Sequence, residues 1–560
     1  RDMLVARGRI KHDYPHSWRS KKPVIFRNTP QWFIAIDQGL DGDKSDTIRA
    51  RALSAINDTK FTPDRGETRL RGMIENRPDW VISRQRAWGV PITVFVNEAG
   101  DYIPSASFDK SNELIQRITD SFREHGADAW FEDGAKARYL DGLVDNPGDW
   151  TKVTDILDVW FDSGCTHAFC LEEGSKSGKW DLKWPANLYL EGSDQHRGWF
   201  HSSLLESCGT RGRAPYEGVL THGFVMAKDG RKMSKSLGNQ MFPEKIIKQS
   251  GAEILRLWVS SSDYMDDLRI GPEILKTNTD AYRKMRNTIR FLLGNLAHYD
   301  DSQSVDFKDM PELERYMLHR LTDLDKVVRE AYLAFDFKKV FSTLFNFCTL
   351  DLSNFYLDIR KDALYCEAED SQTRQAALTV MDEMLNHLTA WLAPIMCFTM
   401  EESWLSRHPE AESVHLRQFP DVPDGWADKD LARKWRRIRK VRRVVTGALE
   451  IERREKRIGS SLEAAPIVHI EDKDLLEAFE GQNAADIFIT SQAKLTLEKA
   501  GDEAFRLDDV PEIAVVPAKA QGQKCARSWK ILPEVGSDPD FPDLTLRDAN
   551  AVRRFDELKG

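Results

Sequence analysis

The sequence predicts a multidomain protein made of an α/β part, an all-α helix bundle and a small α+β domain at the end. Three observations carry that expectation. Apolar runs lead straight into polar, glycine-containing words, at 188–190 before Glu191-Gly192-Ser193-Asp194 and at 219–226 before Lys232-Met233-Ser234-Lys235-Ser236, as parallel strands lead into ligand loops. From about residue 273 the apolar period becomes three to four and stays there. Beyond a basic segment at 431–457, the short runs 467–470, 487–490 and 513–516 read as strands.

Bulk properties narrow the class. At 560 residues the chain can hold several domains and bury large cores. A net charge of −10 means that binding a polyanion needs a local basic face rather than a basic whole. The seven cysteines are scattered with no CxxC pair, so neither a disulfide framework nor a complete zinc site is expected, and the compartment reads as reducing and cytosolic. No apolar run approaches the roughly 18 residues of a membrane span, and no signal peptide is recognisable. The chain starts at Arg1, in mid-pattern, and is expected to be a piece of a longer one.

In chain order, residues 1–22 are polar and end in Tyr14-Pro15-His16-Ser17-Trp18-Arg19. His12, Asp13 and His16 suit metal ligands or a base, but a surface linker is the plainer reading. Residues 24–26 read as a short buried strand and 46–76 as helical. Arg84, Gln85, Arg86 and Trp88 precede a Trp-Gly turn, where they suit either a phosphate or nucleic-acid end or a solvated edge. Residues 95–150 look like an irregular insertion. After the strand at 188–190, acidic groups could hold an ammonium or a ribose, while the helix start offers free N–H groups. Ser193 and Asp194 suit helix caps equally well, and the two roles are compatible.

The loop 232–236 is dense in ammonium and hydroxyl groups. Two lysines and two serines just past a strand can surround a polyphosphate and stabilise charge moving onto a pyrophosphate, or can simply be a solvated basic loop. Helices are expected at 243–250 and 252–259. Three apolar stripes then define the bundle: Leu313 to Tyr332, Val340 to Ile359 and Leu378 to Phe398. Their aromatics are expected in the core. In the basic segment, arginine and lysine alternate with Trp435, Ile438, Val441 and Val445, as in a helix with an apolar seam. Such a concentration in an acidic chain suits phosphate-backbone binding, and a solvated face is the alternative.

PQWF (30–33), SRQRAWGVPI (83–92), DILDVWFDSG (155–164), EGSDQHRGWF (191–200), THGF with KMSKSLGN (221–239) and EKRIGSSLEA (455–464) occur in that order. Together they resemble the isoleucyl-tRNA synthetase family, within the class I aminoacyl-tRNA synthetases. The resemblance covers essentially the whole chain. It implies the end of an editing insertion at 1–22 and the second half of a Rossmann-like catalytic domain at 23–272, with the insertion at about 95–150. It further implies a helical anticodon-binding domain at 273–425 and, at 426–560, a basic helix with an α+β tRNA-binding domain. By the same resemblance Glu191, Gly192, Asp194 and Gln195 would hold the aminoacyl-adenylate, and Trp88 and Trp199 would wall the isoleucine side chain. His222 and Gly223 would lie near adenine. Lys232, Met233, Ser234, Lys235 and Ser236 would bind ATP, with Lys232 and Lys235 catalytic. Arg436, Arg439, Arg443 and Lys456 would face tRNA. The implied cofactors are ATP and Mg²⁺, and the implied partners are L-isoleucine and tRNA(Ile), for a cytoplasmic monomer that does not bind membranes.

Departures from the family pattern set further expectations. No HxGH word occurs, and the core of the editing insertion is missing. An apolar pocket separates isoleucine from valine only weakly, a known problem of this enzyme class and the reason for editing. The terminal zinc knuckle of bacterial members, two CxRC-like pairs, is reduced to Cys525-Ala526-Arg527-Ser528 and Thr545-Leu546-Arg547-Asp548, so no zinc is expected. The leading expectation is an isoleucine–tRNA ligase of which this is the carboxyl-terminal part, with little or no catalysis by this polypeptide alone. The alternatives are a tRNA-binding fragment without catalysis, and a valyl or leucyl relative.

Overall fold

The computed structural model describes residues 5–17, 20–40, 42–178 and 180–559, apart from the side chains of Ser236 and Lys559. The expected Trp18-Arg19 end of the first segment lies outside the described residues. The chain divides into two compact units after Gly223.

In the first unit, α1 (Ile48–Asn57), β1 (Lys60–Thr62) and α2 (Arg65–Glu75) follow one another. Thr47 starts α1 by accepting from the Ala50 N–H, and its non-helical backbone marks the boundary. Further on come β2 (Tyr189–Gly192), α3 (Trp199–Arg211) and β3 (Gly218–His222). The three strands form a parallel sheet with β3 in the middle. A parallel pair needs a crossover, and α3 supplies it between β2 and β3. Phe61, Tyr189, Val219, Phe200, Leu204, Ile56 and Leu70 pack the core around it.

Three expectations are corrected here. The stretch 46–76 is not continuous helix, because β1 interrupts it and pairs with Gly218–Leu220. A strand of three residues, Lys-Phe-Thr, has too little alternation to be read from sequence. Residues 24–26 form no strand, and Ile25 and Phe26 stand exposed. The insertion is not irregular: it has a three-stranded antiparallel sheet, a helix at Ser111–His125 and its own core of Phe95, Ile103, Leu114, Trp130 and Tyr139.

The second unit begins with β4 (Val225–Ala227). Helices α4 (Pro243–Ser250) and α5 (Ala252–Ser261) precede β5 (Leu268–Ile270), which pairs with β4 in parallel. The bundle follows as α6 (Pro272–Asn295), α7 (Glu312–Leu333), α8 (Phe337–Asn346), α9 (Leu357–Cys366) and α10 (Gln372–Leu392), with a π-helical stretch joining α8 to α9. The first two apolar stripes fall on α7 and on α8 through α9; the third falls on α10, except that Ile395 and Phe398 lie beyond it, Ile395 buried and Phe398 exposed.

Helix α11 (Lys429–Arg454) carries the basic segment. It buries Trp435, Ile438, Val441, Val444 and Val445 in one core shared with Tyr316, Phe355, Val468, Ile513 and Val515. The expected boundary at 425/426 therefore does not interrupt packing. The terminal α+β region has β6 (Ile467–Ile470), α12 (Ala484–Phe488), β7 (Lys494–Thr496), β8 (Phe505–Leu507) and β9 (Val510–Val516), in the order β7-β6-β9-β8. The expected strand at 487–490 is instead the end of α12: Asn483 caps its start, and Ile489 closes it in a left-handed conformation. A hairpin, β10 (Gln523–Lys524) with β11 (Ile531–Leu532), and α13 (Leu546–Lys559) complete the unit.

Candidate functional site

At the carboxyl end of the first unit's sheet, Glu191 lies opposite Thr221 and Gly192 opposite His222. A Cβ on Gly192 would lie 2.6 Å from Asp194 Oδ1, so the Asp194 carboxylate sits close over this turn. The Gly192 N–H donates to Glu191 Oε2 at 3.0 Å. Gln195 Oε1 accepts from the Trp199 N–H at 2.9 Å, while its Nε2 donates to Asp194 Oδ2 at 3.0 Å. Gln195, rather than Ser193 or Asp194, is thus the side chain that caps α3. Its capping role leaves the Glu191 and Asp194 carboxylates exposed at the strand end. Burial lowers the His196 pKa; its Nδ1 sits 2.7 Å from Ser193 O, and its Nε2 faces Gly66 at the start of α2.

The two tryptophans differ. Trp199 stacks on Tyr189 with ring centroids 4.1 Å apart, and its Nε1 donates to Ser163 O at 3.0 Å. Trp88 is 90 % exposed. The other sequence words knit together. Ser83 Oγ donates to Gln31 Oε1 at 2.7 Å and accepts the Trp32 N–H at 2.8 Å. Arg84 pairs with Asp158 at 2.8 Å, and Gln85 reaches Asp155 at 3.2 Å. Arg84 is therefore engaged structurally.

One polar group escaped the sequence reading. Glu206, on α3, is buried so closely under Gly164 that a Cβ there would lie 2.2 Å from its Oε1. Burial pushes its carboxyl up to about 8, and burial with the Glu206 charge pushes the neighbouring Cys165 thiol up to about 12. The available signal was that α3 buries residues on every face, with His201, Ser202, Ser203 and Ser207 among them.

In the second unit, β4 turns at Gly230 (φ +80°) and returns through Arg231, whose carbonyl accepts the Ala227 N–H at 2.9 Å. The following loop is held from within. Asn239 Oδ1 accepts the Ser234 N–H at 2.9 Å, Asn239 Nδ2 donates to Lys232 O at 3.3 Å, and Ser234 Oγ accepts the Leu237 N–H at 3.3 Å. Met233 packs against the cluster of Ile246, Trp258 and Ile270. It is thus an anchor, and Lys232 and Lys235 stand exposed with no carboxylate partner among the described residues. The Ser236 side chain lies outside the described residues.

Helix α11 presents the opposite picture. Lys434 pairs with Glu312 at 2.8 Å, Arg437 with Asp474 at 3.2 Å and Arg443 with Asp509 at 2.6 Å. Arg439 pairs with Asp351, approaches the Tyr316 hydroxyl at 3.3 Å and lies 4.6 Å over the Phe355 ring. Lys440 pairs with Glu512. Of the four cations expected to face tRNA, Arg439 and Arg443 are engaged within the chain, while Arg436 and Lys456 stand exposed.

The family model described as "tRNA synthetases class I (I, L, M and V)" matches residues 13–271, and that of the anticodon-binding domain of tRNA ligase matches 314–469. The chain is 59 % identical over 557 residues to an isoleucine–tRNA ligase of Brucella abortus, and 58 % identical over 561 residues to one of Mesorhizobium japonicum. The chain belongs to the class I aminoacyl-tRNA synthetases. All of this synthetase chain aligns, against 56 % and 55 % of the two relatives, so it spans just over half their length. A solved Mycobacterium tuberculosis methionyl-tRNA synthetase in complex with methionyl-adenylate aligns at 18 % identity and a TM-score of 0.48, over 73 % of this chain and 69 % of that one. The match to the class I model holds the Glu191–Gln195 turn and the Lys232–Lys235 loop, and the anticodon-domain match holds nearly all of α7 and α8 to α11. Among the described residues of the synthetase, no helix is long and apolar enough to cross a membrane, and no cluster of three or more His, Cys, Asp or Glu could hold a metal. His12, Asp13 and His16 are exposed.

Proposed function

We propose that this chain is the carboxyl-terminal part of an isoleucine–tRNA ligase, acting in the cytoplasm as a monomer. A carboxylate oxygen of L-isoleucine attacks the α-phosphorus of ATP; the bond to the β-phosphate breaks, and pyrophosphate leaves. A terminal ribose hydroxyl of tRNA(Ile) then attacks the adenylate carbonyl, and AMP leaves. Lys232 and Lys235 neutralise the charge that builds on the departing pyrophosphate. Ser234 shapes the loop, and Mg²⁺ enters with the triphosphate as part of the substrate. Glu191, Gly192, Asp194 and Gln195 hold the adenylate, with His222 and Gly223 toward adenine and Trp88 and Trp199 toward the amino-acid side chain. Arg436 and Lys456 are the cations of the basic segment offered to tRNA.

The observation that carries this reading is the loop itself: two exposed lysines, without a carboxylate partner among the described residues, on a backbone fastened by Met233 and Asn239. The test is ATP–pyrophosphate exchange with isoleucine, valine and leucine in parallel, on the full-length protein and on this chain, beside a tRNA gel shift. Isoleucine-selective exchange by the full-length protein is expected. Selectivity for valine or leucine would overturn the choice of amino acid. The chain alone, which carries no HxGH word, is expected to retain tRNA binding without exchange. Exchange by the chain alone would mean that other residues perform the role of that word.

A further inference from the structure

The end of the chain has the layout of a metal knuckle but not its chemistry. Cys525 and Ser528, then Thr545 and Asp548, repeat one spacing, and all four residues are buried. The apolar core beneath them is small: Cys525, Val535, Leu544 and Ala549, with Leu532, Phe541 and Val552 around it. So few residues hold a fold only with an added fastening.

The zinc implied by the family resemblance does not fit these donors. A structural zinc site takes four thiolates or imidazoles, whereas this set has one thiol, two hydroxyls and one carboxylate. The donors are also already engaged with one another. Cys525 Sγ donates to Asp548 Oδ2 at 2.9 Å, and Ser528 Oγ donates to the same oxygen at 2.6 Å. Asp548 Oδ1 takes Arg547 Nη2 at 2.8 Å and Nε at 3.1 Å. Thr545 Oγ1 accepts the Asp548 N–H at 3.1 Å, capping α13, whose first turn also favours the carboxylate charge.

We propose that this Asp548-centred set of hydrogen bonds and ion pairs stands in place of the metal, closes the knuckle, and fastens it to the bundle through Arg547. Arg547 spans Asp548 and Asp362 of α9, and Lys530 joins the same Asp362, at 3.3 Å, to Asp486 of α12, at 2.8 Å. The chain of alternating charge gives each buried ion an opposite neighbour, the condition under which burying it is tolerated. Burial raises the Asp548 pKa, but the Cys525 and Ser528 hydrogen bonds and the Arg547 charge outweigh it, leaving the carboxyl below its usual range. A zinc ion would need that carboxylate freed from Arg547 and the thiol deprotonated beside it, both against the existing contacts.

The test starts with the unaltered chain, refolded and dialysed with and without zinc and with a strong chelator. Below a tenth of an equivalent of bound zinc, and identical amide exchange over 521–549 in all three, is expected. Stoichiometric zinc, or faster exchange with chelator, would overturn the proposal. Asp548→Ala is expected to accelerate exchange over 521–549 at least tenfold while the α7 and α10 amides stay protected, whereas unchanged exchange there would overturn it. The triple variant S528C/T545C/D548C places thiols on both pairs and is expected to bind one zinc per chain and recover protection only with zinc. Protection without zinc in that variant would show that the polar set was not the fastening.

Discussion

The loop at Lys232–Lys235 and helix α11 are both rich in cations, yet the loop displays both its lysines while the helix engages most of its cations within the chain. On the loop, Met233 and Asn239 consume the anchoring interactions and leave both ammonium groups in solvent. On α11 the apolar seam forces the helix into the core, so its flanking cations meet carboxylates from α7, the π-helical stretch before α9, and β9. Positive charge in a sequence is a ligand site only where packing leaves it unpaired. On a buried helix the same charge serves as a joint.

The largest effect that could break this comparison is on the helix. Arg439→Ala leaves the buried Asp351 with only the longer Arg320 contact, at 3.4 Å, and takes the cation off the Phe355 ring, and is expected to destabilise the second unit by about 3 kcal/mol, read by urea unfolding. A loss below about 0.5 kcal/mol would return Arg439 to the pool of available cations.

Glu206 is a third case, a buried acid with no cation paired to it among the described residues, and sharpens the contrast. Its folded pKa is raised to about 8 from an ordinary 4.5. Below 4.5 both folded and unfolded states hold the proton; between 4.5 and about 8 the unfolded state releases it first, so stability falls as pH rises across that window. Glu206→Gln is expected to remove this fall and to gain about 2 kcal/mol at pH 8 and nothing at pH 4, measured by unfolding at both pH values. An equal gain at both would assign the effect to shape instead of charge.

On the loop, Lys235→Ala is expected to slow isoleucine-dependent exchange by the full-length protein at least tenfold, or about 1.4 kcal/mol of transition-state stabilisation, with no change in Tm. A lowered Tm with unaltered exchange would invert the comparison. The smallest effects belong to the exposed cations of α11. Arg443→Ala is expected to change stability by about 0.5 kcal/mol or less, since its pair with Asp509 is solvent-exposed. Arg436→Ala is expected to lower the salt dependence of tRNA binding by about one unit of slope without affecting Tm.

What was legible in the sequence follows the range of the forces involved. The apolar period of α7 and α10 and the strand-to-loop words at Glu191 and Lys232 appear as local patterns, because each depends on residues within a few turns or a single strand. The strand β1 was hidden in a helical stretch, and 487–490 read as a strand, because three or four residues carry too little periodicity to decide. Trp88 and Trp199 look alike in sequence, yet one stacks on Tyr189 and the other stands in solvent.

By itself the sequence determined the order of the α/β, helical and α+β parts, the apolar face of each long helix, the words of the synthetase family and the unsuitability of the last four donors for zinc. Only the tertiary structure decided which charges are spoken for. Arg439 meets a carboxylate 88 residues away and Arg547 one 185 residues away. A Coulomb interaction is set by separation in space and by burial, neither of which the spacing of residues along the chain records.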